Sequence, residues 1–433
     1  MKYAAVIMDG APDDPFDPPE GPSPLALAQP AFSPLLTNAR VGRAIPFHDP
    51  GEPSRAGALA AILATPPALV LQAHLALEAL GSNLHPGPNW LAALDFITAD
   101  APAGDARTDL LPAERATLAR DLLAHARARI PDAVDGLDLL ETPQGLRLID
   151  RSSRAYAGVI TTPPDDLDPA SLKRALPGGG DPAGSETLRA IVETSRDVLR
   201  SHDINAARAA NNLPTADLAW PYAPSVVPRL PPLPERLGLS ITLLTRDPLV
   251  RGLARALAIH TADAPADHAD LARIAADALG SFDLVIVHDP SPYLAPRDTR
   301  HEALTSSAQR LLPPIVDRLT SFGDPESDAQ ARGWRLLVVA GPSHAHEPPD
   351  PQPSPMPFFM RGAWVRAVVQ RPFTEDDALE SDLAADPAHE LLEYFLKGGL
   401  ARVKAPARRS KDLLIPLPSP KPRAPRKPRR PAR

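Results

Sequence analysis

Apolar residues fall along this chain in two rhythms, and the change between them divides it. The first rhythm opens the sequence: residues 3–8 form a short apolar run ending in Asp9-Gly10, which predicts a buried strand with an acid at its C-terminal tip. Helical spacing and composition follow. Residues 22–40 suggest a loop and a short helix, and 56–64 and 69–80 are rich in Ala and Leu with few breakers. Residues 112–130 give the clearest amphipathic helix, with Pro112 at the start and apolar positions 118, 122, 123 and 126. Residues 138–149 predict two short strands around Pro143-Gln144-Gly145, and 185–201 another helix with Ser185 as its N-cap.

The segment 213–236 is proline-rich and aperiodic, which predicts a linker. The second rhythm begins after it. Apolar runs at 239–245, 283–288 and 335–340 alternate with helical stretches at 248–258, 267–279 and 301–320. That order predicts βαβ units in a mostly parallel sheet flanked by helices, which the strand 3–8 joins. The organisation expected is therefore one α/β domain made of 1–74 and 226–403, interrupted by a smaller α+β domain with its linker at 75–225.

Composition narrows the chemistry. With no cysteine in 433 residues, disulfides, zinc–thiolate sites and thiol nucleophiles are excluded. Aromatics make up only 4% against 43% apolar residues, so the core has to be built from Leu, Val, Ile and Ala. No secretory signal pattern opens the chain, and no apolar run reaches the ~20 residues that span a bilayer; a cytoplasmic protein is the expectation. P-loop, Rossmann and His-Glu-x-x-His motifs are all missing.

Charge is uneven. Residues 404–433 hold eleven Lys and Arg against one acid, Asp412, a balance of +10; taking that from the net −7 leaves −17 for residues 1–403. The tail reads as disordered and proline-rich, either a tether for a polyanion or a solvated extension. The acidic body is a poor nucleic-acid surface.

Several stretches resemble the shorter, archaeal-type branch of the cofactor-independent phosphoglycerate mutases, in the alkaline phosphatase superfamily. Met8-Asp9-Gly10 is similar to that family's opening metal aspartate. Residues 22–46 resemble its TPLEAA…G-R-V-G stretch, Thr162-Pro163-Pro164-Asp165-Asp166 its TPPHD, 195–208 its SREIL…N-x-x-R helix, 282–288 its DFVFVH strand, and Pro355-Met356-Pro357-Phe358 its P-V-P-F. The order is kept over nearly all of 1–403. The resemblance implies interconversion of 2- and 3-phosphoglycerate through a phosphoserine flanked by two divalent ions, manganese, zinc or magnesium. A metal lowers the pKa of a serine hydroxyl, and a second stabilises charge on the phosphoryl oxygens.

Carried over residue by residue, the resemblance gives an incomplete site. Asp9 keeps the first metal position. Ser54, in Gly51-Glu52-Pro53-Ser54-Arg55, takes the nucleophile's place, although the aspartate expected after it is Arg55. The D-x-x-x-H ligands fall on Tyr293 and Arg297, and arginine has no lone pair to give a metal. His344 and His346 are the remaining candidate ligands, alternate residues that share a side if the segment is extended. The substrate clamp fares better: Arg154, Arg208 and Arg251 match arginine or lysine positions, and Asp166 is retained while the preceding histidine has become Asp165.

Three functions are compatible with this pattern. The first is a phosphoglycerate mutase relative that has lost most metal ligands, is inactive or altered, and binds a phosphorylated small molecule. The second is a working metal-dependent mutase or related phosphotransferase with a shifted site. The third is a structural or polyanion-binding protein acting through its tail.

Overall fold

A computed structural model of the chain describes residues 1–397 except 14–20, 49–52, 100, 103–104, 143, 169–171, 345–353 and 368. The basic tail and His346 lie outside the described residues. Two sheets organise the rest.

The larger sheet has eight strands: β1 (Lys2–Met8), β2 (Arg40–Ala44), β7 (Ile241–Thr245), β8 (His260–Asp263), β9 (Leu284–Asp289), β10 (Trp334–Ala340), β11 (Met356–Gly362) and β12 (Ala384–Ala385), in the order β12-β2-β11-β10-β1-β9-β7-β8. From β10 to β8 every pairing is parallel, and only β11 runs against its neighbours. The predicted mostly parallel α/β sheet is therefore present. Side chains along its central strands alternate between two cores. Ala5, Ile7, Leu243, Ile286, Leu337 and Val339 point to one. Ala4, Val6, Met8, Leu244, Val287 and Val338 point to the other. Because both faces are covered, the strands read as continuous apolar runs, and that is why they were visible in the sequence.

The smaller sheet is antiparallel, with β3 (Trp90–Ile97), β4 (Leu137–Thr142), β5 (Gly145–Asp150) and β6 (Leu218–Ser225) in the order β4-β5-β3-β6. Helices Pro112–Arg129 and Pro182–Arg200 pack on it through Leu118, Leu122, Leu188 and Ile191. All four strands come from the part of the chain that interrupts the larger sheet.

Several expected elements need correction. The segment 213–236 is not a plain linker: it contains β6 and a short helix, Leu233–Leu237. As the edge strand, β6 tolerates Pro221 and Pro224, whose missing N–H groups cost no ladder bond on the open side, and Ala219 and Trp220 hold it in the core. The helix expected at 185–201 starts at Pro182, capped by Asp181 accepting from the Ala183 and Gly184 N–H groups at 3.0 and 3.3 Å; Ser185 lies inside it, donating to the Pro182 carbonyl. The stretch 301–320 is two helices, Arg300–Ser306 and Leu312–Thr320, joined by a π-helical turn, Ser307–Leu311.

One contact fixes a helix that matters for the site. Helices His74–Gly81 and Pro248–Ala256 approach until their backbones touch. A Cβ on Gly81 would lie 1.8 Å from the Pro248 carbonyl oxygen, and one on Gly252 1.8 Å from that of Leu77. Only glycine permits this at either position.

Candidate functional site

The same alternation that builds the core delivers the site. Asp9 follows Ile7 in parity, His288 follows Ile286, and Thr245 follows Leu243, so all three project to one face at the carboxyl ends of β1, β9 and β7. These are adjacent parallel strands, and their carboxyl ends are where α/β sheets assemble ligand sites. Asp247, two residues beyond β7, caps the Pro248 helix: its Oδ1 accepts from the Leu249 and Val250 N–H groups at 2.8 and 3.2 Å, leaving Oδ2 to face the strand ends. Asp9, Asp247 and His288 each bring one ligand-type atom within 4.8 Å of the others, the one such group of three among the described residues. Asp9 and His288 are fully buried.

A fourth side chain bridges the two carboxylates of this group. Arg55, the first residue of the helix Arg55–Ile62, donates from Nη2 to Asp9 Oδ2 and to Asp247 Oδ2, each at 2.5 Å, and from Nε to Asp9 Oδ2 at 3.0 Å. His288 Nε2 lies 3.0 Å from the same Asp9 oxygen, and its Nδ1 is 3.0 Å from the Thr245 hydroxyl. That hydroxyl accepts from the Asp247 N–H, tying the three together. Burial is the largest single influence and would raise both carboxyl pKa values, but the Arg55 guanidinium, His288 and the hydrogen bonds together outweigh it and hold Asp9 and Asp247 below the usual range. Burial would conversely lower the pKa of Arg55, yet the two carboxylates raise it. The guanidinium is permanently charged. Tyr293 lies under it, ring centroid 4.3 Å from the guanidinium carbon, and His344 stacks on Tyr293 at 4.8 Å. Gly10 allows this approach: a Cβ there would sit 2.4 Å from the Tyr293 Cα.

The residues singled out from the sequence fare differently. Asp9 is at the centre. Ser54 sits beside it in sequence as the N-cap of the Arg55 helix, its Oγ accepting from the Gly57 N–H at 3.0 Å. His344 does not join the ligand group; it packs on Tyr293. Arg297, at one lost ligand position, donates from Nε and Nη2 to Asp13 Oδ2 at 3.1 and 2.8 Å, forming a second ion pair nearby in the chain's first loop.

The three clamp arginines are dispersed and engaged. Arg208 is buried, bonded to the Pro214 and Asp109 carbonyls and to Glu114 at 2.7–2.9 Å. Arg154 donates to Asp150 at 2.9 Å and to the Asp132 carbonyl. Arg251 donates to Asp263 at 2.6 Å and to the Thr245 carbonyl. Asp166 is exposed at the end of a short 3-10 turn, Pro164–Asp166. Sequence reading missed Asp247 and His288 altogether, and recognised Arg55 only as a lost acid.

Two carboxylates and an imidazole would suit zinc or manganese as a donor set. They do not fit one in this arrangement. Both carboxylate oxygens that would bind it are already bonded to Arg55 Nη2, and a dication about 2.0–2.2 Å from each donor would have to share those oxygens with a fixed positive charge.

An eight-stranded α/β sheet with this cluster at its carboxyl ends is an alkaline-phosphatase-like fold. It matches a solved protein from Pyrococcus horikoshii with a TM-score of 0.62 at 20% identity, over 92% of this chain and 96% of that one. It matches the cofactor-independent phosphoglycerate mutase from Thermoplasma acidophilum with a TM-score of 0.53 at 16% identity, over 92% and 99%. No family model matches the chain. Curated relatives do. The 2,3-bisphosphoglycerate-independent phosphoglycerate mutase of Methanothrix thermoacetophila is 23% identical over 431 residues, 92% of this chain and 100% of the relative. The enzyme named phosphoglycerate mutase 2 of Methanothermobacter thermautotrophicus is 25% identical over 408 residues, 92% and 97%. Over nearly its whole length the chain is similar to proteins named 2,3-bisphosphoglycerate-independent phosphoglycerate mutase, as the residue-level resemblance implied. Among the described residues no helix is long and apolar enough to cross a membrane.

Proposed function

We propose that this chain is a phosphoglycerate-mutase-type protein that no longer carries out metal-dependent phosphoryl transfer and retains the scaffold for recognising a phosphorylated small molecule. The observation that carries this is Arg55, whose guanidinium is bonded to both carboxylates of the only three-ligand group among the described residues. Without a metal to activate it, the Ser54 hydroxyl remains a weak nucleophile, and losing one member of such a unit commonly costs ~10³-fold or more. The ligand class comes from the relatives' names. Of the three clamp arginines, Arg251 has the most exposed carboxylate partner, Asp263 at 90%, and a pair of that kind is weak.

A working mutase with a rearranged site is the second reading, and Asp9, Asp247 and His288 standing within 4.8 Å of each other favour it. One experiment separates the two. Purified protein is assayed for 3-phosphoglycerate turnover with added Mn²⁺, alongside Ser54→Ala. No turnover above the Ser54→Ala background is expected, with 3-phosphoglycerate binding that weakens in Arg251→Ala. Turnover that disappears in Ser54→Ala would establish the working enzyme.

A further inference from the structure

We propose that Arg55 is the built-in cation of the Asp9–Asp247–His288 centre, and that removing this one side chain opens a divalent-metal site the intact protein does not have. The inference rests on the functional reading above and extends it from what the protein fails to do to why.

Charge comes first. One buried and one partly buried carboxylate with one guanidinium leave the centre at −1 when His288 is neutral, so Arg55 compensates the cluster incompletely. A dication in place of Arg55 would bring it to zero. Geometry agrees. The three ligand atoms already stand within 4.8 Å of one another, so they need to move only about an ångström each to surround an ion at normal ligand distances.

Two of the three ligands are also held from behind by bonds that do not involve Arg55. Asp247 Oδ1 is fixed by the Leu249 and Val250 N–H groups, and His288 Nδ1 by Thr245. Such outer contacts orient ligands for a metal. Finally, Asp9 Oδ1 is buried and has no hydrogen-bond partner, although its sister oxygen takes bonds from both Arg55 and His288. A buried carboxylate oxygen left unsatisfied is unusual, and it supplies the cluster with one more donor aimed at no protein group.

Arg55 therefore does two things at once. It neutralises carboxylates that could not stay buried alone, because a buried charge stripped of its partner is strongly destabilising. It also excludes metal by bonding both carboxylate oxygens that the ion would need. Tyr293, stacked on the guanidinium at 4.3 Å, holds it there.

The test uses the full chain with Mn²⁺ or Zn²⁺ alone as probe. Wild type, Arg55→Ala and Arg55→Gln are purified metal-free and examined by calorimetric titration and thermal denaturation. Wild type is expected to show no metal site that depends on His288 and no change in Tm on adding metal. Arg55→Ala is expected to lose Tm without metal, to bind one equivalent, and to regain Tm on binding, with all of this lost when His288→Ala is added. If Arg55→Ala is insoluble without metal and soluble when prepared with it, that also supports the proposal. A His288-dependent metal site in wild type would overturn it. So would folded Arg55→Ala and Arg55→Gln proteins that bind no metal, or an Arg55→Ala protein that metal does not rescue paired with an Arg55→Gln protein that binds none. These outcomes are read from binding and Tm, whereas the functional reading fails only if wild type turns over 3-phosphoglycerate.

Discussion

Replacing Gly252 with alanine should destabilise the protein, although alanine is the better helix former. Gly252 lies inside the helix Pro248–Ala256, where the change alone would be worth about 1 kcal/mol in favour of folding. The packing works against it. The new Cβ would stand 1.8 Å from the Leu77 carbonyl oxygen and 2.6 Å from its carbon, and both obstacles are backbone of the facing helix. Reaching an ordinary contact requires the two helices to part by about 1.5 Å, and a gap of 0.5–1 Å already forfeits a quarter to a half of the dispersion well. Leu77, Leu249, Val250 and Leu253 are buried beside that crossing and would lose contact together. Overpacking of this kind costs roughly 1–3 kcal/mol and sometimes more. At a clash this short the upper end applies, so a net loss of about 2 kcal/mol or more is expected.

Gly280, near the end of the helix His268–Ser281, is the control. A Cβ there would have only the Arg318 guanidinium nearby, at 3.7 Å. Gly280→Ala should raise stability by about 0.5–1 kcal/mol from the same propensity. Urea midpoints followed by far-UV circular dichroism test the pair. Opposite signs support the argument, and a Gly252→Ala protein as stable as wild type refutes it, because the two helices would then not be in backbone contact. The perturbation also reaches the site, since the helix that moves is the one Asp247 caps.

Two further outcomes follow from the site and its surroundings. Ser54→Ala should cost about 1 kcal/mol of stability whether or not metal is added, because the Oγ accepts from the Gly57 N–H as a helix cap, and Ser54→Asn should recover most of it; equal midpoints for all three proteins would count against a capping role. Glu375 is buried where desolvation raises its carboxyl pKa, only partly countered by bonds from Ser23 and the Asp13 N–H. A folded pKa above the unfolded one means its contribution is fully present below the unfolded value of about 4.5 and is lost as pH rises through the folded value. Glu375→Gln should therefore remove a decline in stability between acid and neutral pH, and unchanged pH profiles in denaturant midpoints would contradict this.

What could be read from the sequence was what burial on both faces imposes. Strands β1, β7, β9 and β10 lie between two cores, so their sequences are unbroken apolar runs that announce themselves. β3 and β11 carry apolar runs and were passed over all the same, but two other missed strands lack that signature. β2 is Arg-Val-Gly-Arg-Ala, with two arginines only partly buried. β6 carries two prolines that speak against a strand until its place at a sheet edge is known. The capping of the Pro182 helix by Asp181 lost out to a serine deeper in the helix for a simple reason. Pro182 and Gly184 read as breakers ahead of Ser185, and only the hydrogen bonds from the Ala183 and Gly184 N–H groups show that the helix already begins there.

The site was half legible, and the missing half follows from a rule that the sequence does contain. Asp9 was found because it ends an apolar run. His288 ends another such run and shares the parity of Ile286 as Asp9 shares that of Ile7, so once β1 and β9 are neighbours their tips must face the same way. What the sequence could not supply was the neighbour relation, which is a property of sheet order. Asp247 was hidden differently, as an ordinary helix cap in front of Pro248. A cap spends one carboxylate oxygen on backbone N–H groups and leaves the other available, so a helix that starts at a strand's carboxyl end presents an acid to the site as a by-product of its own termination. Arg55 was the most misleading residue of all. Judged against the aspartate expected there, it marks a lost ligand. Placed among three groups that prefer a cation, it is the replacement for what those groups would otherwise have had to bind.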